Sequence, residues 1–460
     1  MIALLRAALP LFLAMIAGMV GSLVVTSVLG KHDTVTLAAF AVVTAVLNPA
    51  STAVQGALRG LGPFVAPYRE DPAAAVPVVR DARWLSLATG TVGALALLCV
   101  PLLAGAAGVP PEVRREIGAL PYFLAVYLLV FASTGGASTI LIALGRSRNV
   151  LWPTLAFGVL LGGLTAVLVP PLGLMGVGIA WVVAGVVAAL VAALNLRRAL
   201  GRPIGQGRPR TREIIQLAKV SIPLAGTVLI KFGVLGVVTL AASTTSTRDT
   251  AAHAVLTTLT GFLMLASLSV AQAAVPEVAR APDAAGARRA HRTAALLAIT
   301  GTLVAAGLLL GFGEKLLVLF SDDGAVRERV FGLLPLMLLA STLDAAQAVQ
   351  GTGLTALKRS ASSLMYFSIA YGLLVVAAVP VARTWGITGL WTAMAVANGL
   401  LVVLQGTGFQ RHSAKVGIVP GPSPGAAPGT GPAPAPDAAP DAGAAPDAGA
   451  APGAATDAGR

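Results

Sequence analysis

Ala143-Leu144-Gly145-Arg146-Ser147 returns 213 residues later as Ala356-Leu357-Lys358-Arg359-Ser360. The same offset, without a gap, carries Gly173 and Gly176 onto Gly386 and Gly389. It carries Pro63, Val65 and Ala66 onto Pro276, Val278 and Ala279, and Pro10 onto Pro223. Ala38-Ala39 and Val42 fall on Ala251-Ala252 and Val255. Alanines and valines coincide by chance in a chain this rich in them. Prolines, glycine pairs and a basic turn kept in one register do not, so the chain reads as two copies of one unit.

The composition says what that unit is made of. Of 460 residues, 56% are hydrophobic and 11% charged, with a mean hydropathy of +0.84. A soluble domain carries about 25% charged residues, so a water-soluble enzyme is excluded and a polytopic membrane protein is expected. About 20 apolar residues cross the hydrocarbon core as a helix. Twelve such runs are present: 7–29, 36–66, 84–107, 119–144, 150–169, 173–195, 215–242, 250–276, 293–313, 331–356, 362–382 and 386–409. The second is long and contains Pro49 and Pro63, so a bend is expected there. The first is too long for a cleaved leader and has one Arg before it.

The net charge of +13 is a sidedness signal. Sorting Lys and Arg by loop puts 21 on the side of the N-terminus, 8 on the other and 3 (Arg59, Lys219, Lys231) inside spans. That excess predicts a cytoplasmic location for both termini and removes the reason to invoke nucleic acid. The expected fold is an all-α polytopic membrane protein. Its twelve transmembrane helices form two six-helix lobes, 1–195 and 214–410, related by a parallel pseudo-two-fold repeat. A cytoplasmic linker, 196–213, joins them. The Ala/Pro/Gly/Asp-rich segment 411–460 cannot bury enough surface to offset its chain entropy and is expected to be disordered. The single cysteine, Cys99, excludes an intrachain disulfide and is expected to be a small buried hydrophobe.

Ionisable groups within spans are costly and default to functional candidates. Asp344, about thirteen residues into its run, is the one acid so deep, and Lys231 is equally deep; both belong to the second half. The expectation is that they face each other, as a static salt bridge or as a proton-linked switch. Gln347 lies one turn from Asp344 and shares its face. His253 is either a hydrogen-bonded interfacial histidine or a proton relay. Gln55, Asn48, Ser269, Gln272, Tyr366, Tyr371 and Asn398 are candidates for cavity hydrogen bonds or for interhelical contacts. Pro10 and Pro223 are helix-bend candidates. Arg59 can snorkel to the interface, and Glu277 is read as a helix-end partner of Arg280. His32, His291 and His412 are placed in loops or the tail. No metal-ligand set, catalytic triad pattern or nucleotide-phosphate loop is found, so no enzyme activity and no cofactor are expected.

Five stretches in this order resemble the multidrug and toxic compound extrusion (MATE) family across residues 4–410. They are Leu9-Pro10-Leu11, Ile222-Pro223-Leu224, Ala251-Ala252-His253, Asp344-Ala345-Ala346-Gln347 with the Gly351, Gly353, Lys358, Arg359 turn, and Gly386-Ile387-Thr388-Gly389-Leu390-Trp391. The resemblance implies export of drugs or small organic metabolites, coupled to inward movement of H⁺ or Na⁺. A cationic or amphipathic substrate and a monomer are expected, and the bias toward Ala, Gly, Pro and Arg over Lys (26 to 6) points to a bacterial plasma membrane. Departures accompany the resemblance. Where many members carry an acid in the first span, this chain has Met19-Val20-Gly21-Ser22. Where others carry Asn and Asp in the fifth, it has Gly162-Gly163-Leu164-Thr165. Lys231 stands where one branch has Glu. A tethered ammonium there would occupy the place of a bound cation. The alternatives are a flippase or exporter of a lipid-linked or polysaccharide precursor and, from another class, an intramembrane enzyme.

Overall fold

The computed structural model describes residues 1–205, 207–317 and 324–417. The tail expected to be disordered lies outside the described residues from 418 onward. Among the described residues the chain is helical and forms no strand. The elements are α1 (Ile2–His32), α2 (Thr34–Arg59), α3 (Gly62–Val65), α4 (Val76–Leu98), α5 (Val100–Ala106), α6 (Pro111–Ile117), α7 (Leu120–Ser133), α8 (Ala137–Ala143), α9 (Arg148–Leu172), α10 (Leu174–Leu200), α11 (Thr211–Ser243), α12 (Thr247–Ala279), α13 (Ala284–Leu317), α14 (Gly324–Ala356) and α15 (Ser360–Ser413). Among the described residues, ten stretches are long and apolar enough to cross a membrane, eleven if the bent α4–α5 pair is one. The chain is a multi-pass membrane protein, because hydrocarbon supplies no partner for backbone groups and a helix satisfies them internally.

Several expected runs are not single helices. The run 36–66 breaks after Arg59 and resumes as α3, with Pro63 in its first turn. The run 84–107 begins earlier, at Val76, and bends by 43° at Cys99. Pro101 has no N–H to give Leu97, so the helix cannot pass straight through. Cys99 is exposed there, not buried. On a membrane helix an exposed thiol meets apolar surroundings, which suit a small, weakly polar side chain as well as the bundle interior does. The run 119–144 is interrupted at Gly135 and Gly136, both at positive φ. Helices also outrun their apolar segments. α10 continues to Leu200 and α11 starts at Thr211, so the linker is shorter than 196–213. Pro10 and Pro223 lie within continuous helices.

The 213-residue register is visible in the backbone. α2 and α12 start at Thr34 and Thr247, and each is capped by the preceding side chain: Asp33 accepts from Thr36 N, Ser246 from Asp249 N. α8 and α14 end alike, with Arg146 N donating to Leu141 O and Arg359 N to Leu354 O, both at 2.8 Å. Gly145 and Lys358 follow at φ 75° and 59°. Lys358 is the one non-glycine residue with positive φ among the described residues. It holds this disfavoured conformation with its ammonium 4.2 Å from the centre of the Phe64 ring, a cation–π contact. Gly173 (φ 54°, ψ −134°) and Gly386 (φ 57°, ψ −150°) occupy backbone space open essentially to glycine alone. At Gly386 the 54-residue α15 leaves helical geometry.

Packing divides the same way. One core draws almost wholly on α1–α10, around Leu29, Leu47, Leu124, Leu128 and Leu161. A second draws on α11–α15, around Val238, Leu256, Met337, Trp391 and Leu401. A third joins the halves and sets Leu4, Ala8 and Leu11 against Ala192, Ala271, Ala294 and Val349. The halves meet along α2–α11 and α1–α12, at the end that carries the basic loops. There Gly60 lies against Ser221 and Gly56 against Ala225 and Val228. Arg69 reaches Glu277 at 3.2 Å and Arg280 reaches the same carboxylate at 2.8 Å. Arg280 also donates to the Ala143 carbonyl. At the opposite end, ion pairs and hydrogen bonds stay within a half among the described residues: Thr36 with Glu116, and Arg329 with Asp249.

The Thr36 backbone N–H on Asp33 holds its carboxyl below the usual carboxylate range. An acid with a lowered pKa stabilises the fold above its unfolded value and loses that contribution as pH falls through the folded value. Asp33→Ala should therefore lower the thermal midpoint at pH 7, with the gap to the parent closing below about pH 4. Asp33→Ser should retain the cap at both pH values. Thermal scanning fluorimetry against pH reads both.

Candidate functional site

α11 and α14 bring the two deep ionisable residues together. Lys231 Nζ donates to Asp344 Oδ1 at 2.6 Å, with side chains 17% and 9% exposed. Asp344 stands twelve residues before the end of α14 at Ala356, about 18 Å at 1.5 Å per residue. An isolated ion at such depth costs several kcal/mol, and an opposite charge at contact is what offsets it.

From Asp344 a polar column runs along α14 toward the basic end. One turn on, Gln347 Nε2 faces Gln405 Oε1 at 3.4 Å, and Gln405 Nε2 donates to Ser363 Oγ at 3.1 Å. A further turn on, Gln350 Oε1 meets His291 Nε2 at 2.7 Å. The His291 ring stacks on Phe409, with centroids 3.9 Å apart. In the other direction, Tyr371 donates to Asn398 Oδ1 at 2.9 Å, and Asn398 donates to the carbonyl of Ala340, one turn before Asp344. Gln347 Oε1 and His291 Nδ1 are buried without a partner among the described residues.

The other candidates stand apart from the pair. His253 is buried, bonded through Nε2 to Thr239 (3.3 Å) and Thr257 (3.4 Å), and lies against Trp391. No bond among the described residues links it to Asp344. Asn48 and Gln55 are exposed on α2. Gln272 is half-buried, its Nε2 unpartnered among the described residues. Tyr366 packs its ring over Gly408. Ser269 lines a small apolar cavity of about 150 Å³ with Leu5, Leu9 and Phe12 of α1 and Leu297 of α13. Arg59 ends α2 half-buried. His291 is the clearest correction: it was placed in a loop, but α13 starts at Ala284 and carries it buried into the bundle. Gln350, Gln405 and Ser363 were also missed. The readable signal was the Asp344, Gln347, Gln350 spacing, which puts three polar side chains on one helical stripe.

The pair makes a stability prediction separable from function. Lys231→Ala or Asp344→Ala should each cost about 3–5 kcal/mol by stranding one buried charge. Replacing both together, as Lys231→Met with Asp344→Leu, should be near neutral. Thermal midpoints of the three variants in detergent check this.

A model of the MatE family matches residues 223–381. The chain is 27% identical over 439 residues to a probable multidrug resistance protein NorM of Aromatoleum aromaticum, covering 86% of this chain and 91% of that protein. It is 27% identical over 438 residues to the protein of the same description in Xanthomonas axonopodis pv. citri, covering 89% and 93%. The fold is shared with an outward-facing multidrug resistance MATE transporter, at a TM-score of 0.82 and 16% identity over 90% of this chain and 96% of that one. It is also shared with a eukaryotic MATE transporter, at 0.77 and 17% over 90% and 99%. The family model on the second half, relatives along most of the chain and the common fold agree with the motifs, and the resemblance to MATE transporters read from the sequence is borne out.

Proposed function

We propose that this protein exports small cationic or amphipathic organic molecules by alternating access, as a monomer, driven by inward proton movement through Lys231 and Asp344. The observation that carries the reading is the 2.6 Å contact between these two groups, deep in the second half. The ammonium already neutralises the carboxylate at contact distance. A sodium ion would have to displace it, whereas a proton on Asp344 abolishes the attraction by itself.

The reading takes the molecule as twelve spans in two six-helix lobes. α15 supports this: 54 residues at about 1.5 Å each exceed twice the ~30 Å hydrocarbon core, and its backbone turns at Gly386. Both termini are taken as cytoplasmic in a bacterial plasma membrane, on the excess of basic residues at their end. Contacts between halves among the described residues cluster at that end, which supports taking this state as closed to the cytoplasm. Protonation of Asp344 from the other side frees Lys231 and uncouples α11 from α14. α11 packs on α2 of the other half, so its movement is transmitted to the Gly56 and Gly60 contacts that hold the cytoplasmic side closed. The relatives' description as multidrug resistance proteins supports the cargo class.

The test is efflux of a fluorescent cation from proteoliposomes under an imposed pH gradient or an imposed Na⁺ gradient, applied separately. The pH gradient should drive efflux and the Na⁺ gradient should not. Lys231→Ala and Asp344→Asn should each fall to the level of protein-free liposomes. Intact pH-driven efflux in both variants would overturn the switch, and a response to Na⁺ alone would overturn the choice of ion.

A further inference from the structure

The end of α10 carries a basic pocket that neither the pair nor the polar column uses. Its volume is about 380 Å³, and it is lined by Leu194, Arg197, Arg198, Gly201, Arg202 and Pro203. The three arginines are exposed, and none is in an ion pair among the described residues. A fourth guanidinium approaches from the turn before α9, where Arg146 Nη1 donates to the Arg198 carbonyl at 3.3 Å. Asn195 ties the same two segments together through the Asn149 carbonyl at 2.9 Å. Net positive charge is thus concentrated where the helix end itself presents carbonyls. Those carbonyls carry only about half a unit of negative charge, which the arginines exceed.

The pocket is built rather than incidental to a loose loop. The strand of linker beyond it is fixed to α4 at three points. Arg83 donates to the Ile204 carbonyl at 3.3 Å, and the Trp84 indole donates to the Gly207 carbonyl at 3.2 Å. Arg210 Nε donates to Asp81 Oδ2 at 3.0 Å, and Asp81 is 1% exposed. On the membrane side of the pocket, Val183, Val186, Leu190 and Leu194 are exposed. Their spacing of three and four residues makes one stripe along α10. Arg197 and Arg198 extend the same stripe. An apolar track that ends on guanidinium groups has the polarity profile of a phospholipid, acyl chain on one side and phosphate on the other.

We propose that this pocket binds the headgroup of an anionic phospholipid. The phosphate sits on the guanidinium groups of Arg197, Arg198 and Arg202, and an acyl chain lies along Leu190 and Leu194. Guanidinium recognises phosphate through paired N–H donors, and free inorganic phosphate shares that chemistry. The apolar track favours the lipid, because a free ion gains nothing from Leu194.

The experiment uses the full chain in nanodiscs of phosphatidylcholine with a fixed fraction of phosphatidylglycerol, and native mass spectrometry of the lipids it retains. The parent should retain phosphatidylglycerol preferentially. R197Q/R198Q/R202Q should lose that preference about tenfold or more, on the scale of basic residues near an anionic surface. R208Q/R212Q removes linker charge outside the pocket and should keep it. R202Q alone, beyond the helix, should give a partial loss, which guards against a triple variant that folds poorly. An unchanged preference in the triple variant, or an equal loss in R208Q/R212Q, would overturn the proposal. Displacement of the retained lipid by millimolar inorganic phosphate would overturn the lipid as occupant and leave an anion site.

Discussion

Hydrocarbon offers no hydrogen bonds, and the whole molecule answers to that. Every described span is helical because a helix closes its own backbone groups. Where a helix breaks within the apolar region, at Gly60, Cys99 or Gly135, neighbouring elements or a tight turn take over. The same constraint sets the terms for charge. Lys231 and Asp344 are tolerable at depth because each is the other's counter-ion.

The two halves share a backbone and differ in chemistry. Carried back by 213 residues, Lys231 falls on Gly18 and Asp344 on Phe131. Gln405 and Ser363 fall on Ala192 and Val150, and Tyr371 and Asn398 on Gly158 and Gly185. The first half fills the equivalent space with packing. Tyr127 stacks on Phe157 and meets Trp181 edge-on, while Gly158 admits the Ala17 backbone and Gly185 admits Tyr127. One half therefore presents a close-packed aromatic body and the other a polar column. This agrees with the absence of acids at Met19–Ser22 and Gly162–Thr165.

How much of this was legible depended on whether the signal was local. The helices were, because twenty-residue apolar runs have no other stable state in a membrane. The Lys231–Asp344 contact was anticipated, because two deep opposite charges in one half have little choice of partner. Glu277 was read as the partner of Arg280, but its second contact, with Arg69 of the other half, depends on how the halves meet. His291 was misplaced because helices project past the apolar run, where hydropathy no longer marks them. Cys99 was misjudged because an apolar neighbourhood in sequence does not say which side of a helix faces the bundle. Asp81 is a buried acid that no local pattern marks. Its burial against Arg210 follows from the path of the linker, 129 residues away.

By itself the sequence determined the helical membrane character, the 213-residue duplication, the sidedness of charge and the two deep ionisable residues. All are set by composition, period and register, which act locally along the chain. The tertiary structure alone decided which polar side chains form one column, at which end the halves touch, and that Arg197, Arg198 and Arg202 share a pocket. Those depend on distances between helices far apart in sequence, which packing sets and no single stretch encodes.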